Sequence, residues 1–319
     1  MPLDRESQAL VDAMHIAGSK PLYEQTVQEA RAGIAAASRQ LSPPPAEMHA
    51  VVDRRIPTEG AEIGIRVYTP RPLGERDRLP IVLNYHGGGF VAGDLDTHDG
   101  IARFYARDVD AIVISVDYRL APEHPFPAAV DDAYAAVTWS AEHADQVHGD
   151  ANRIAVTGDS AGGNLSAVVC QLARDRRGPP IAFQALAYPA LDFNPDAVYA
   201  SRAAFGGGDY FLSNRDMDWF RSLYLTDVPG QVGDPRVSPL AHPDLSGLPP
   251  ALVVTSGCDL LRDEGKAYAN RLAAADVPVE YRCFETTIHA CLSFAGAIPT
   301  GLDALSFVAS RLRKALHGP

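Results

Sequence analysis

The chain has 319 residues, a formal net charge of −12 and a hydrophobic fraction of 46%. That length suffices for one large α/β domain with a sizeable core and an appendage. The acidic balance argues against a sequence-independent grip on nucleic-acid phosphates or on an anionic membrane surface, so neither partner is expected.

The first residues, Met1 to Glu6, are polar, with no apolar stretch behind them, and no run of about 18 apolar residues occurs later. No secretory signal or membrane span is therefore expected, and a cytoplasmic location is the default. Residues 1–47 read as two amphipathic helices. Leu10, Val11 and Met14 share one face; Tyr23, Val27, Ala30 and Ile34 repeat at helical spacing. Gly18-Ser19-Lys20-Pro21 separates the two helices and Pro43-Pro44-Pro45 ends the second. Both are expected to lie on the rest of the molecule as part of a cap.

The period then changes. Val51–Ile56 and the alternating Ile63, Ile65 and Val67, joined by the turn residues Pro57-Thr58-Glu59-Gly60, predict an antiparallel start to a sheet. Buried-type strands follow near 81–85, 111–116, 154–157, 181–188, 251–256 and 279–284. Helices are expected over 98–108, 127–143, 161–175, 263–275 and 301–315. This alternation predicts an α/β fold of about eight strands, mostly parallel and covered by helices on both faces, with ligands at the carboxyl ends of the strands. Residues 190–230 break the rhythm with Phe205, Tyr210, Phe211, Trp219, Phe220 and Tyr224, and read as an inserted helical segment whose aromatics mostly pack its own small core. The four cysteines, Cys170, Cys258, Cys283 and Cys291, have no metal-site spacing and read as reduced, mostly buried thiols. No metal is expected.

Gly158-Asp159-Ser160-Ala161-Gly162 stands between a strand and a helix. A serine on so sharp a turn projects its hydroxyl above the sheet, the arrangement of a nucleophile elbow. The pentapeptide alone also fits a glycine-rich turn in which Ser160 caps a helix. A nucleophilic serine needs a base, and the base an orienting acid, in the chain order Ser, Asp or Glu, His. Only His289 and His317 follow the last strands. His317 is at the chain end, where fraying is expected, so His289 is the candidate base. Asp259, on the loop after the 251–256 strand, is the candidate acid. Asp263 and Glu264 are rivals whose ordinary role is to favour the start of the next helix, and Glu285 is a weaker alternative. His86-Gly87-Gly88-Gly89-Phe90 offers backbone N–H groups for a developing oxyanion, with Ala161 N–H a further donor. His86 reads as a loop-fixing residue.

His86–Phe90, Tyr118–Ala128 (Tyr-Arg-Leu-Ala-Pro-Glu-His-Pro-Phe-Pro-Ala), Gly158–Asn164, Asp259–Glu264 and His289 occur in this order. The set resembles the hormone-sensitive-lipase-like (family IV) bacterial carboxylesterases of the α/β-hydrolase fold. The resemblance implies Ser160 as nucleophile, Asp259 as acid, His289 as base, and Gly88, Gly89 and Ala161 as oxyanion hole. It implies cofactor-free hydrolysis of small short-chain acyl esters and, in many members, a homodimer paired through the sheet edge. It divides the chain into a catalytic domain (48–189 and 231–319) and a cap (1–47 and 190–230). Two departures stand out: Leu260 where the family has Pro, and Ala290-Cys291 where it has Gly-Phe. The alternatives are an amidase with the same triad, or a receptor-like ligand-binding protein on this fold, though such receptors lack the histidine.

Overall fold

The computed structural model describes residues 2–18 and 20–318. Met1 of the polar start and Ser19 of the expected helix break lie outside the described residues. In chain order the elements are α1 (Arg5–Ile16), α2 (Val27–Leu41), β1 (Ala50–Thr58), β2 (Ala61–Thr69), β3 (Leu79–Tyr85), α3 (Asp99–Val109), β4 (Ile112–Asp117), α4 (Ala128–Glu142), β5 (Gly149–Asp159), α5 (Ala161–Asp175), β6 (Phe183–Ala187), α6 (Ala200–Phe205), α7 (Asn214–Tyr224), α8 (Val228–Gln231), β7 (Ala251–Cys258), α9 (Arg262–Ala274), β8 (Val279–Ile288) and α10 (Pro299–His317).

The eight strands form one sheet in the order β1-β2-β4-β3-β5-β6-β7-β8. β1 and β2 form an antiparallel hairpin and β2 runs antiparallel to β4. The remaining neighbours are parallel. All of β3 is buried, as a central strand covered on both faces requires. Successive side chains alternate between the two faces. Ile81, Leu83, Ile114 and Val156 pack with α4, α5 and α9 on one side. Val82, Val113, Ala155 and Leu252 pack with α3 and α10 on the other. From β3 the chain crosses to β4 on one side and then returns to β5 on the other. The connections after β3 and β5 therefore leave neighbouring strands in opposite directions, which makes this the switch point at which ligands bind in open α/β sheets.

The sequence places most elements within a few residues, with informative exceptions. Tyr23 is not on α2. It sits in a 3-10 turn, Leu22–Glu24, because Thr26 and Glu29 form a capping box that starts the helix at Val27. β8 runs four residues past Phe284, to Ile288, after a register shift opposite Gly257. His317 is not frayed: it lies in α10, with Nε2 2.9 Å from the Val109 carbonyl, next to the amino end of β4. Cys170, Cys258 and Cys291 are buried, and among the described residues no disulfide joins the four cysteines. Among the described residues, no helix is long and apolar enough to cross a membrane.

The inserted aromatics also differ from expectation. Phe205 and Tyr210 do pack edge-on against each other. Phe220 and Tyr224, however, join the main core. Tyr224 is fully buried and stacks on Phe90 with ring centroids 4.0 Å apart. This segment shares the core of the sheet domain because its large rings are too few to enclose one of their own.

Candidate active site

Three parallel strands each deliver one polar residue at the position immediately after the last strand residue: Ser160 after β5, Asp259 after β7 and His289 after β8. The bulge at Gly257 and the lengthened β8 set the last two side by side. His289 Nδ1 is 2.8 Å from Asp259 Oδ2, and His289 Nε2 is 3.0 Å from Ser160 Oγ. Asp259 is 1% exposed and His289 5% exposed, so the carboxylate has little water competing for it. Its other oxygen accepts the Leu261 N–H at 2.9 Å. The Tyr188 ring meets the imidazole edge-on at 5.0 Å.

Ser160 has φ 55° and ψ −116°, a conformation that side chains with a Cβ rarely adopt and that marks a strained turn. Its backbone is pinned on both sides: Ser160 N–H donates to Ala187 O at 2.9 Å, and Ser160 O accepts from Asn164 and Ala190. Gly162 lets α5 lie directly on the end of β3, since a Cβ there would strike the Tyr85 carbonyl. Asn164 donates to the carbonyls of Ala190 (2.7 Å) and Val237 (2.8 Å), joining the start of the inserted segment to the chain just past its end. This tie is not legible from periodicity, because both acceptors are backbone atoms far along the chain.

The glycine loop after β3 turns through left-handed backbone at Gly88 (φ 122°), Gly89 (φ 63°) and Phe90 (φ 64°). A Cβ at Gly88 would strike the Ala92 carbonyl. Among the described residues, neither Gly88 N–H nor Gly89 N–H has a protein acceptor, while the Gly88 carbonyl accepts from Val91 and Ala92. Ala161 is the first residue of α5, so its N–H has no partner within the helix. The ring of Phe220, from α7, occupies the space a side chain at Gly89 would take. His86 is buried beside Tyr118, 4.2 Å away in a stacked arrangement, with Nδ1 2.8 Å from the Gly87 carbonyl. Burial, reinforced by the neighbouring His98, lowers its pKa to about 4. It is a neutral, loop-fixing histidine outside the relay.

The rival acids are elsewhere. Glu285 is exposed on β8. Asp263 and Glu264 open α9 as expected, but they also hold the insertion. Asp263 accepts the Ser201 N–H at 2.9 Å. Glu264, fully buried, accepts the Leu191 N–H at 2.7 Å and pairs with Arg202 at 2.7 Å. Burial raises the Glu264 carboxyl to about 7 despite the pull of Arg202.

A family model for the α/β-hydrolase fold matches residues 82–293, well over half of the chain. The chain belongs to the α/β-hydrolase fold family. Within it the motifs and relatives are those of the hormone-sensitive-lipase-like branch. The hydrolase is 50% identical over 248 residues to the carboxylic ester hydrolase LipN of Mycobacterium tuberculosis, covering 76% of this chain and 64% of LipN. It is 44% identical to the carboxylesterase NlhH of the same organism, covering 88% of each. The solved hyperthermophilic esterase of the archaeon Pyrobaculum calidifontis superposes with a TM-score of 0.92 at 39% identity, covering 98% of this chain and 99% of that one.

The two departures from the family pattern lie beside the relay. Leu260 is 1% exposed in the main core, and its carbonyl accepts the Ser201 hydroxyl at 2.8 Å. Ala290 has φ 65°, in the region that favours glycine. Cys291 is buried with its Sγ 3.5 Å from the Ser256 hydroxyl, and burial pushes its thiol up to about 11. It is a neutral core residue at ordinary pH.

Proposed function

We propose that this hydrolase is a serine carboxylesterase that cleaves short-chain acyl esters through an acyl-enzyme. The observation that carries the reading is the unbroken relay from Ser160 Oγ through His289 (3.0 Å) to Asp259 (2.8 Å). With Asp259 accepting a hydrogen bond from Nδ1–H, Nε2 is the free acceptor for the serine proton as Oγ attacks the ester carbonyl. The developing oxyanion takes the N–H groups of Gly88, Gly89 and Ala161, and each such donor typically contributes about 3 kcal/mol to the transition state. His289 then protonates the leaving alkoxide, and water repeats the sequence in reverse to release the acid. The carboxylic ester hydrolases among the relatives support the ester class.

In this reading α1, α2 and α6–α8 form a cap over the strand ends. Contacts between the two parts support it: Tyr23 N–H donates to Asp216 at 3.2 Å, and the Arg215 guanidinium lies 3.8 Å from the Tyr23 ring centroid. Arg31 of α2 also donates to the Val91 carbonyl, just past the glycine loop, at 2.8 Å.

The test is turnover of p-nitrophenyl butyrate by wild type, Ser160→Ala and His289→Ala, with folding checked by circular dichroism. Each variant is expected to lose about 10⁴–10⁶-fold in kcat. Near-full activity in folded Ser160→Ala overturns the reading. Ester binding without turnover by wild type moves it to a receptor, and faster cleavage of matched anilides moves it to an amidase.

A further inference from the structure

Directly behind the serine lies a second buried carboxylate that the relay does not use. Asp159, the last residue of β5, is 6% exposed. Its Oδ1 accepts the Gly87 N–H at 3.0 Å and lies 3.1 Å from His98 Nε2. His98 Nε2 is also 3.3 Å from the Gly87 nitrogen, and its Nδ1 is 3.0 Å from the Thr97 hydroxyl. Burial by itself pushes the Asp159 carboxyl up, but attraction to His98 and the hydrogen bond with it, with His86 and His289 farther out, outweigh that and hold it below the usual carboxylate range. Burying a carboxylate is costly unless its partners repay it, and a hydrogen bond to an ionised acceptor is roughly twice as strong as a neutral one.

What this carboxylate holds is specific. Gly87 is gripped at both ends: its N–H by Asp159, and its carbonyl by His86 Nδ1 at 2.8 Å. The Gly87 carbonyl and the Gly88 N–H belong to one planar trans peptide and point in opposite directions. Fixing the carbonyl, which His86 does, therefore aims the Gly88 N–H, and Asp159 anchors the peptide just before it through the Gly87 N–H. Since Asp159 is bonded to Ser160 in the chain, the same contact ties the loop to the nucleophile.

Building on the esterase reading above, we propose that Asp159, backed by His98, is a positioning residue that sets the distance and direction of the Gly88 and Gly89 N–H groups relative to Ser160. Asp159→Ala removes the acceptor, and Asp159→Asn keeps an oxygen for Gly87. The expected result for Asp159→Ala is a kcat for p-nitrophenyl butyrate lower by about 10²-fold, the size of losing one oxyanion donor, with KM within about twofold. Asp159→Asn should regain most of the loss.

A second readout separates positioning from general damage: the ratio of kcat/KM for an ester to that for its thionoester. The larger thiocarbonyl sulfur is the poorer acceptor, so a loosened hole costs the ester more. The ratio is expected to fall in Asp159→Ala and recover in Asp159→Asn. Wild-type kcat in Asp159→Ala, or an equal loss on both substrates, overturns the proposal. If Asp159→Ala does not fold, Asp159→Ser, with a side chain too short to reach Gly87, takes its place with the same expectations. Ser160→Ala run in parallel separates the two claims: an active Ser160→Ala sinks the esterase reading itself, whereas an inactive one beside an unimpaired Asp159→Ala sinks only the positioning role.

Discussion

The strand ends and the inserted segment are held by different kinds of force. At the strand ends the backbone does the placing. Ser160, Asp259 and His289 each follow a parallel strand whose register is fixed by its neighbours, so their spacing changes only if the sheet does. The insertion has no strand in the sheet. It is held by side chains reaching across long sequence distances: Arg202 to Glu264, Ser201 to Asp263 and Leu260, Tyr224 on Phe90, and Asn164 across its base. A geometry that needs precision of a fraction of an ångström is best built on the rigid sheet, while a segment held by side chains is freer to vary in sequence.

The largest effects should separate the two regions by what they change. Ser160→Ala is expected to abolish turnover while leaving the melting temperature close to wild type, because its side chain does not hold the sheet. His289→Ala should abolish turnover too but lower the melting temperature, because it leaves the buried Asp259 carboxylate without its imidazole partner. Tyr224→Ala should do the reverse of Ser160→Ala. Its ring is fully buried between the insertion and Phe90, and removing such a ring typically costs about 3–5 kcal/mol. Urea denaturation should show that loss, with turnover below the transition retained to within about tenfold. Loss of turnover with unchanged stability would mean that Tyr224 acts on the reaction and not as the insertion's anchor.

A smaller effect tests the ionic tie. Burial raises the Glu264 carboxyl from 4.5 to about 7, so between these values the folded protein binds a proton that the unfolded chain releases. The stabilisation is fully present below about pH 4.5 and is lost as pH rises through about 7. Glu264→Gln cannot titrate. The stability of wild type relative to Glu264→Gln should therefore fall between pH 5 and 7, by up to about 1.4 kcal/mol per pH unit. Parallel stability curves for the two proteins across that range would contradict the assignment.

The same contrast explains what was legible beforehand. The chain order of Ser160, Asp259 and His289 and the triple glycine after β3 are local patterns, and strand-to-helix alternation puts them at one edge of the sheet. The reach of β8 to Ile288 was not legible, because the Gly257 bulge that extends the pairing depends on β7 and β8 lying side by side. The second roles of Asp263 and Glu264 were hidden because their fit to a helix start already accounted for them. Asp159 was hidden by its neighbour: beside a candidate nucleophile, a residue with no place in the relay draws no attention until its partners, Gly87 and His98, are seen in space.

The smallest predicted effect lies where this chain leaves the family pattern. Ala290 follows His289 at φ 65°, and a left-handed backbone typically costs a residue with a Cβ about 1–2 kcal/mol. Glycine removes that cost but adds about 0.5–1 kcal/mol of unfolded-chain entropy. The methyl group also touches the small cluster of Val11, Ile288, Phe294 and Ile298, where a fully buried carbon contributes about 0.8 kcal/mol; Ala290 is only partly buried and forfeits less. The balance favours glycine by a few tenths of a kcal/mol, or about 0.5 °C in melting temperature for a domain of this size. Calorimetry on Ala290→Gly should show that small rise with kcat within about twofold of wild type. A fall of several degrees would mean that contact with the Phe294 cluster outweighs the backbone strain, and that Ala290 fastens the His289 turn to the N-terminal helix.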